Sequence, residues 1–235
     1  MIKVLGIGMG LHQITAEVSD ALRRCDYVIA ASKREDDELL ALRREVCDAY
    51  GLPLVAVPDP QRDREPIGDG GYVTAVADWH QARVAAYRQV IAERGGTPAF
   101  LVWGDPALYD STIRIVRELD PDYEVMAGIS APQLLAARHR IVLHEVGQPV
   151  LVTTQRQLGA AVEQGAENIV VMLTSGFSEE GIEDWNVWWG ANLGTPSERL
   201  VAGVVAEVAD EIRAARMDAK SEAGWVMDLF LVRRP

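Results

Sequence analysis

The chain has 235 residues, 49% hydrophobic and 25% charged, with a formal net charge of -12. That balance is ordinary for a globular protein and leaves room for one large core or two of roughly 110 residues. It argues against a general nucleic-acid binder, which needs a basic stripe, and no apolar run reaches the ~18 residues that would span a bilayer.

A strand is expected at once, over residues 2–7, where a secretory leader would still be running through apolar sequence, so a cytoplasmic protein is expected. Gly6-Ile7-Gly8-Met9-Gly10 follows, and Ile14, Val18, Ala21 and Leu22 then recur at helical spacing, which reads as strand, glycine loop, helix. Leu11 stands where the dinucleotide-binding fingerprint has its third glycine, and Ser32-Lys33 where that fold has its ribose-binding acid. The glycines therefore fit a ligand loop and a tight turn equally well. Cys25 and Cys47 have no His cluster at metal-ligand spacing, so buried free thiols and no metal are expected.

Strands at 26–30 and 54–57 flank a helix at 39–46, an alternation that predicts a parallel sheet. Residues 58–71 are rich in Pro, Asp, Arg and Gly and read as a long functional loop; its Arg62 and Arg64, with Lys33-Arg34, suit either carboxylate binding or a solvated surface. Val73, Val76, Ala77, Val84, Tyr87 and Ile91 mark an amphipathic helix ended by Gly95-Gly96, with His80 on its apolar stripe and read as core. The apolar run Phe100-Leu101-Val102-Trp103 is then cut by Gly104-Asp105-Pro106. That places a carboxylate at the C-terminal end of a strand, where open α/β sheets bind ligands. A helix cap is the competing role for Asp105, and core packing for Tyr109.

A helix through Ile113, Val116 and Leu119 and a strand at 123–126 complete five strand signals. Ala127-Gly128-Ile129-Ser130-Ala131 is a second strand-to-helix turn in which Ser130 caps a helix carrying Leu134, Leu135 and Ala137. A domain boundary is expected here, giving domains 1–127 and 128–235. His139 is expected at the surface and His144-Glu145 in a connector. Strands follow at 149–153 and 168–173, around a short Ala-rich helix. Trp185-Asn186-Val187-Trp188-Trp189 suits a half-exposed strand whose indoles pack a sheet or floor a flat ligand. Ser197 is expected to cap a last helix with the stripe Val201, Val204, Val205, Val208 and Ile212, and Trp225–Val232 to form an antiparallel strand near a sheet edge.

Taken in order, Gly6-x-Gly8-x-Gly10, Gly104-Asp105-Pro106-x-x-Tyr109, Gly128-Ile129-Ser130-Ala131, Val171-Met172 and Asn192-Leu193-Gly194-Thr195-Pro196-x-Glu198-Arg199 resemble the tetrapyrrole (corrin/porphyrin) methyltransferases over nearly the whole chain. Gly68-Asp69-Gly70-Gly71-Tyr72, Asp78-Trp79-His80 and the segment Phe100–Thr112 are similar to those members that methylate C-1 of a precorrin with loss of acetate in cobalamin biosynthesis. The resemblance implies an α/β fold of two domains. An N-terminal, mostly parallel sheet carries the glycine and Gly-Asp-Pro loops; a C-terminal mixed sheet with flanking helices completes a cleft for S-adenosyl-L-methionine, and the family is usually homodimeric.

The same resemblance implies that Met9, Trp103, Gly104, Asp105, Leu108, Ser130, Ala131, Met172 and Asn192 contact the cofactor. The substrate would be a carboxylate-rich tetrapyrrole, which the loop arginines suit. Methyl transfer needs positioning above all; loss of acetate needs a base and oxyanion stabilisation, for which Asp105, Tyr109 and His144 are the candidates. Action at another corrin position or on another substrate of the same fold, and a non-catalytic adenosyl-ligand module, stay open at this level.

Overall fold

The computed structural model describes residues 1–32, 38–61, 71–120 and 122–235, without the side chains of 38, 39, 71–73 and 76. Lys33, Arg34, Arg62, Arg64 and the Gly68-Asp69-Gly70 motif lie outside the described residues. The chain divides into two compact units, Met1–Ile129 and Ser130–Pro235.

The first unit alternates strand and helix: β1 (Ile2–Gly6), α1 (Ala16–Leu22), β2 (Tyr27–Ser32), α2 (Glu38–Tyr50), β3 (Leu54–Pro58), α3 (Gly71–Arg94), β4 (Pro98–Val102), α4 (Thr112–Leu119) and β5 (Tyr123–Met126). All pairings are parallel, in the order β3-β2-β4-β1-β5. Strand side chains alternate between two faces, and both faces are covered. Leu5, Val28, Ala99 and Leu101 pack with Val18, Ala21 and Leu22 of α1 and Val46 and Cys47 of α2. Val4, Ile29, Phe100 and Val102 pack with Val84 and Tyr87 of α3 and Ile115 and Val116 of α4. Burial on both faces is why these strands read as continuous apolar runs.

The chain leaves β1 toward β2 on one side of the sheet and leaves β4 toward β5 on the other. The adjacent ends of β1 and β4 are therefore the point where the winding reverses, the place where such sheets bind ligands.

The second unit begins with α5 (Ala131–His139), continues through β6 (Leu151–Thr154), α6 (Leu158–Glu163), β7 (Asn168–Met172), β8 (Asn186–Ala191) and β9 (Arg199–Val204), and ends with α7 (Val205–Ala223) and β10 (Asp228–Arg233). Its order is β6-β7-β10-β8-β9, with only β6 and β7 parallel. The α/β fold with a parallel first sheet and a mixed second sheet is thus as the sequence leads one to expect.

Three local expectations are corrected. Val201 and Val204 lie in β9, not in the last helix, and α7 starts only at Val205. The alternation of exposed Leu200, buried Val201 and exposed Ala202 is the period of a strand paired with β8. Ser197 caps no helix; its hydroxyl accepts from Asn192 Nδ2 at 3.0 Å. β10 is central rather than near an edge: Leu229, Phe230, Leu231 and Val232 are all buried, as a strand between two others requires.

Candidate functional site

At the reversal point of the first sheet, three loops meet backbone to backbone. Gly8 N donates to Gly104 O at 3.2 Å and Gly104 N to Gly8 O at 2.7 Å, an isolated antiparallel bridge between the loops after β1 and β4. Gly104 holds φ 72, which a side chain would strain. The turn after β5 packs as closely, because a Cβ on Gly128 would fall 2.2 Å from Gly104 O and 2.7 Å from the Gly6 carbonyl carbon. Asp105 ties the assembly: Oδ1 accepts from Ala107 N at 2.8 Å and Oδ2 from Gly128 N at 3.0 Å. Its carboxylate thus shapes its own loop, as a capping residue does, and also reaches the next strand's turn.

The glycine loop is a tight structural turn. Gly8 N is bonded to Gly104, Met9 N donates to Gln13 Oε1 at 3.0 Å, and Gly10 N donates to Ile7 O at 3.4 Å. A short 3-10 turn, Leu11–Gln13, intervenes before α1, whose N-terminus is capped by Thr15 Oγ1 accepting from Val18 N. These amides are spent within the protein, so this loop offers no cradle of the kind that binds phosphates.

Around this junction Trp103 and Leu108 are half-buried, and Met9 is 6% exposed. Tyr109 is 46% exposed with a left-handed φ of 51, which sets it on the loop's outside rather than in the core. Beyond the end of β3, Asp59 Oδ1 accepts from Arg83 Nε at 2.6 Å, and the Arg83 guanidinium lies 4.0 Å over the Trp79 ring. Sequence reasoning missed this pair, because its partners stand 24 residues apart. His80 is buried as expected, and burial, followed by Arg114 and Arg83, holds its pKa below 6.5.

In the second unit Ser130 sits at the N-cap of α5. Its N and Oγ both donate to Gln133 Oε1, at 3.0 and 2.9 Å, with Ala131 half-buried beside it. Met172 is half-buried at the end of β7. Asn192, after β8, has a φ of 47 and is 2% exposed. Its Nδ2 donates to Ser197 Oγ and Trp225 O, and its Oδ1 accepts from Met227 N at 2.9 Å, so its amide is fully engaged in folding the loop. Glu198 fixes the same loop by accepting from Gly194 N and from Arg138 Nε on α5.

His144 is exposed, with Nδ1 3.1 Å from Glu145 O. His139 is half-buried instead of at the surface, its Nε2 2.9 Å from Trp189 O. Trp185 and Trp189 are core residues, at 4% and 0% exposure, and floor no ligand. Cys25 and Cys47 are buried free thiols, and among the described residues no group of three His, Cys, Asp or Glu is set to hold a metal.

Residues 1–209 match the family Tetrapyrrole (Corrin/Porphyrin) Methylases. The chain belongs to this family. It is 37% identical over 250 aligned positions to a precorrin-6A synthase [deacetylating] of Sinorhizobium sp, covering 99% of this chain and 95% of that protein. It is 34% identical, with a TM-score of 0.81, to a cobalamin synthesis related protein (CobF) of Corynebacterium diphtheriae, covering 99% of this chain and 98% of that one. A uroporphyrin-III C-methyltransferase of Thermus thermophilus, solved with S-adenosylhomocysteine, shares the fold at 16% identity, with a TM-score of 0.59 and coverage of 99% and 97%.

Proposed function

We propose that this protein uses S-adenosyl-L-methionine to methylate C-1 of precorrin-5 with loss of acetate, yielding precorrin-6A. The observation that carries the reading is the 37% identity to the deacetylating synthase along 99% of the chain. The local chemistry supports it. A sulfonium and an adenine need apolar walls and backbone carbonyls rather than a phosphate cradle. The junction of Gly6, Gly8, Gly104 and Gly128 is built of backbone, with half-buried Trp103 and Leu108 beside it and glycine-loop amides already spent.

In this reading Met9, Trp103, Gly104, Asp105 and Leu108 of the first unit contact the cofactor, as do Ser130, Ala131, Met172 and Asn192 of the second. The cofactor supplies a methyl group at its sulfonium. Asp105 holds the loop, since each of its oxygens already accepts a backbone N–H. Asp105, with a lone pair to spare on each oxygen, and exposed Tyr109 and His144 are the groups offered for the acetyl step. There water adds to the acetyl carbonyl, a base takes its proton, and the C–C bond breaks. Acetate departs and the electron pair stays on the ring carbon that receives the methyl group.

The reading includes a cytoplasmic homodimer, for which exposed Val142, Val146 and Leu151 offer apolar surface; sedimentation velocity checks it. The deciding experiment incubates the protein with precorrin-5 and methyl-labelled S-adenosyl-L-methionine. Label at C-1 and one acetate per methyl are expected. Label elsewhere without acetate reassigns the reaction within the family, and binding of the cofactor without turnover rejects catalysis.

A further inference from the structure

One edge of the second sheet gathers the ends of β6, β7 and β8 and the start of β10, since β10 runs against both β7 and β8. Two turns on this edge hold a non-glycine residue in the left-handed region, Leu173 at φ 53 and Asn192 at φ 47. Asparagine tolerates this; for leucine it costs about 1–2 kcal/mol. Leu173 is also 63% exposed, so burial of its side chain does not repay that cost.

Hydrogen bonds from both neighbouring strands hold the turn instead. Asp228 opens β10, and its side chain is 1% exposed. It accepts from Thr174 Oγ1 at 2.6 Å, from Trp189 Nε1 at 3.1 Å and from Arg216 Nε at 3.1 Å. Beyond β6, Gln155 Oε1 accepts from Ser175 N at 2.6 Å, and its Nε2 donates to Gly176 O at 3.1 Å. The turn 173–176 is therefore bracketed by one side chain on each flank. The same end of β10 holds the other turn, where Asn192 N donates to Met227 O at 2.9 Å and Met227 N to Asn192 Oδ1 at 2.9 Å.

Backbone strain persists only where the surroundings enforce it, and strained residues of this kind cluster at ligand-binding and switch sites. We propose that Asp228 and Gln155 are positioning residues that lock the Leu173–Gly176 turn so that Met172 and Leu173 face the adenosyl ligand. This rests on the methyltransferase reading, in which Met172 is a contact. It adds Leu173, Gln155 and Asp228, the last beyond residues 1–209 that match the family. The signal in the sequence is a single acid in the otherwise apolar run Trp225–Val232, which a central strand accepts only with partners.

Thr174→Val tests it, because the change keeps the side chain's shape and leaves Asp228 bonded to Trp189 and Arg216. Thr174→Ser keeps the hydroxyl. Calorimetric titration with S-adenosylhomocysteine is expected to give about tenfold weaker binding for T174V and near wild-type binding for T174S. The KM for S-adenosyl-L-methionine rises while kcat stays within about twofold. Exchange of the Ser175 amide in the free protein quickens by a similar factor. T174V that binds as the wild type does overturns the inference alone, as does unchanged Ser175 exchange. A wild-type chain that binds no S-adenosylhomocysteine overturns the methyltransferase reading and the inference resting on it.

Discussion

Asp105 joins two loops through one carboxylate, one oxygen to Ala107 N and the other to Gly128 N. Asp105→Ala takes the acceptor from Gly128 N in a part-buried bond, worth about 1 kcal/mol, and from Ala107 N in an exposed bond that water readily replaces. Urea unfolding is expected to show a loss of roughly 1–2 kcal/mol, with a raised KM for the cofactor. Asp105→Asn keeps one acceptor and loses about half as much. Acetate release abolished in D105N while the variant stays folded and keeps its S-adenosylhomocysteine affinity gives the carboxylate a part in the chemistry itself. The sequence makes this residue conspicuous through Gly104 and Pro106, yet hides where its second oxygen goes, because Gly128 lies 23 residues on and is reached only once β4, β1 and β5 have assembled. His139 is the same lesson in reverse: neighbouring Arg138 suggests solvent, but the Trp189 carbonyl that claims its ring comes from a strand 50 residues away.

Elements are legible where one period dominates and ambiguous where two fit. The strands of the first unit, buried on both faces, stand out as apolar runs bounded by glycine and proline. Residues 201–212 satisfy a helical stripe and, at their start, strand alternation as well; pairing of Asn186–Ala191 with Arg199–Val204 decides it. β10 shows its central place only by having no polar face.

Glycines carry the sharpest test at this scale. Gly128→Ala drives a Cβ to 2.2 Å from a backbone carbonyl oxygen that two loops hold fixed. Loss of cofactor binding and of several kcal/mol is expected, since overpacking costs about 1–3 kcal/mol even where side chains yield. Gly159→Ala on α6 meets nothing within 4 Å and has an ordinary φ. It is expected to raise stability by about 0.5–1 kcal/mol with activity unchanged. Parallel urea titrations of the two variants check both.

Among the described residues, pH acts on stability through groups buried in their neutral forms and, as pH falls through the carboxylate range, through Glu124, whose pKa the hydrogen bond from Lys3 lowers from 4.5. His80 has its pKa lowered from 6.5, so the unfolded chain binds more protons as pH falls below that value, and stability declines there. Cys25 and Cys47 are raised by burial from 9.0 to about 11, so the unfolded chain loses their protons first, and stability declines from pH 9 upward. Tyr27 and Tyr87, raised from 10.0, add to that decline at higher pH. Urea midpoints are expected to be level between about pH 6.5 and 9 and to fall on both sides. Replacing both cysteines by alanine moves the alkaline onset toward pH 10, where the tyrosines take over.

The two sheets differ in when they can be finished. All five strands of the first unit have been made once residue 126 is synthesised, whereas the second sheet keeps a gap between β7 and β8 that only residues 228–233 fill. On the ribosome the first unit can settle early, while β6-β7 and β8-β9 wait as two separate ribbons with unpaired inner edges. A chain stalled after Gly224 would carry those open edges into the cell, which makes the second half the aggregation-prone one during synthesis.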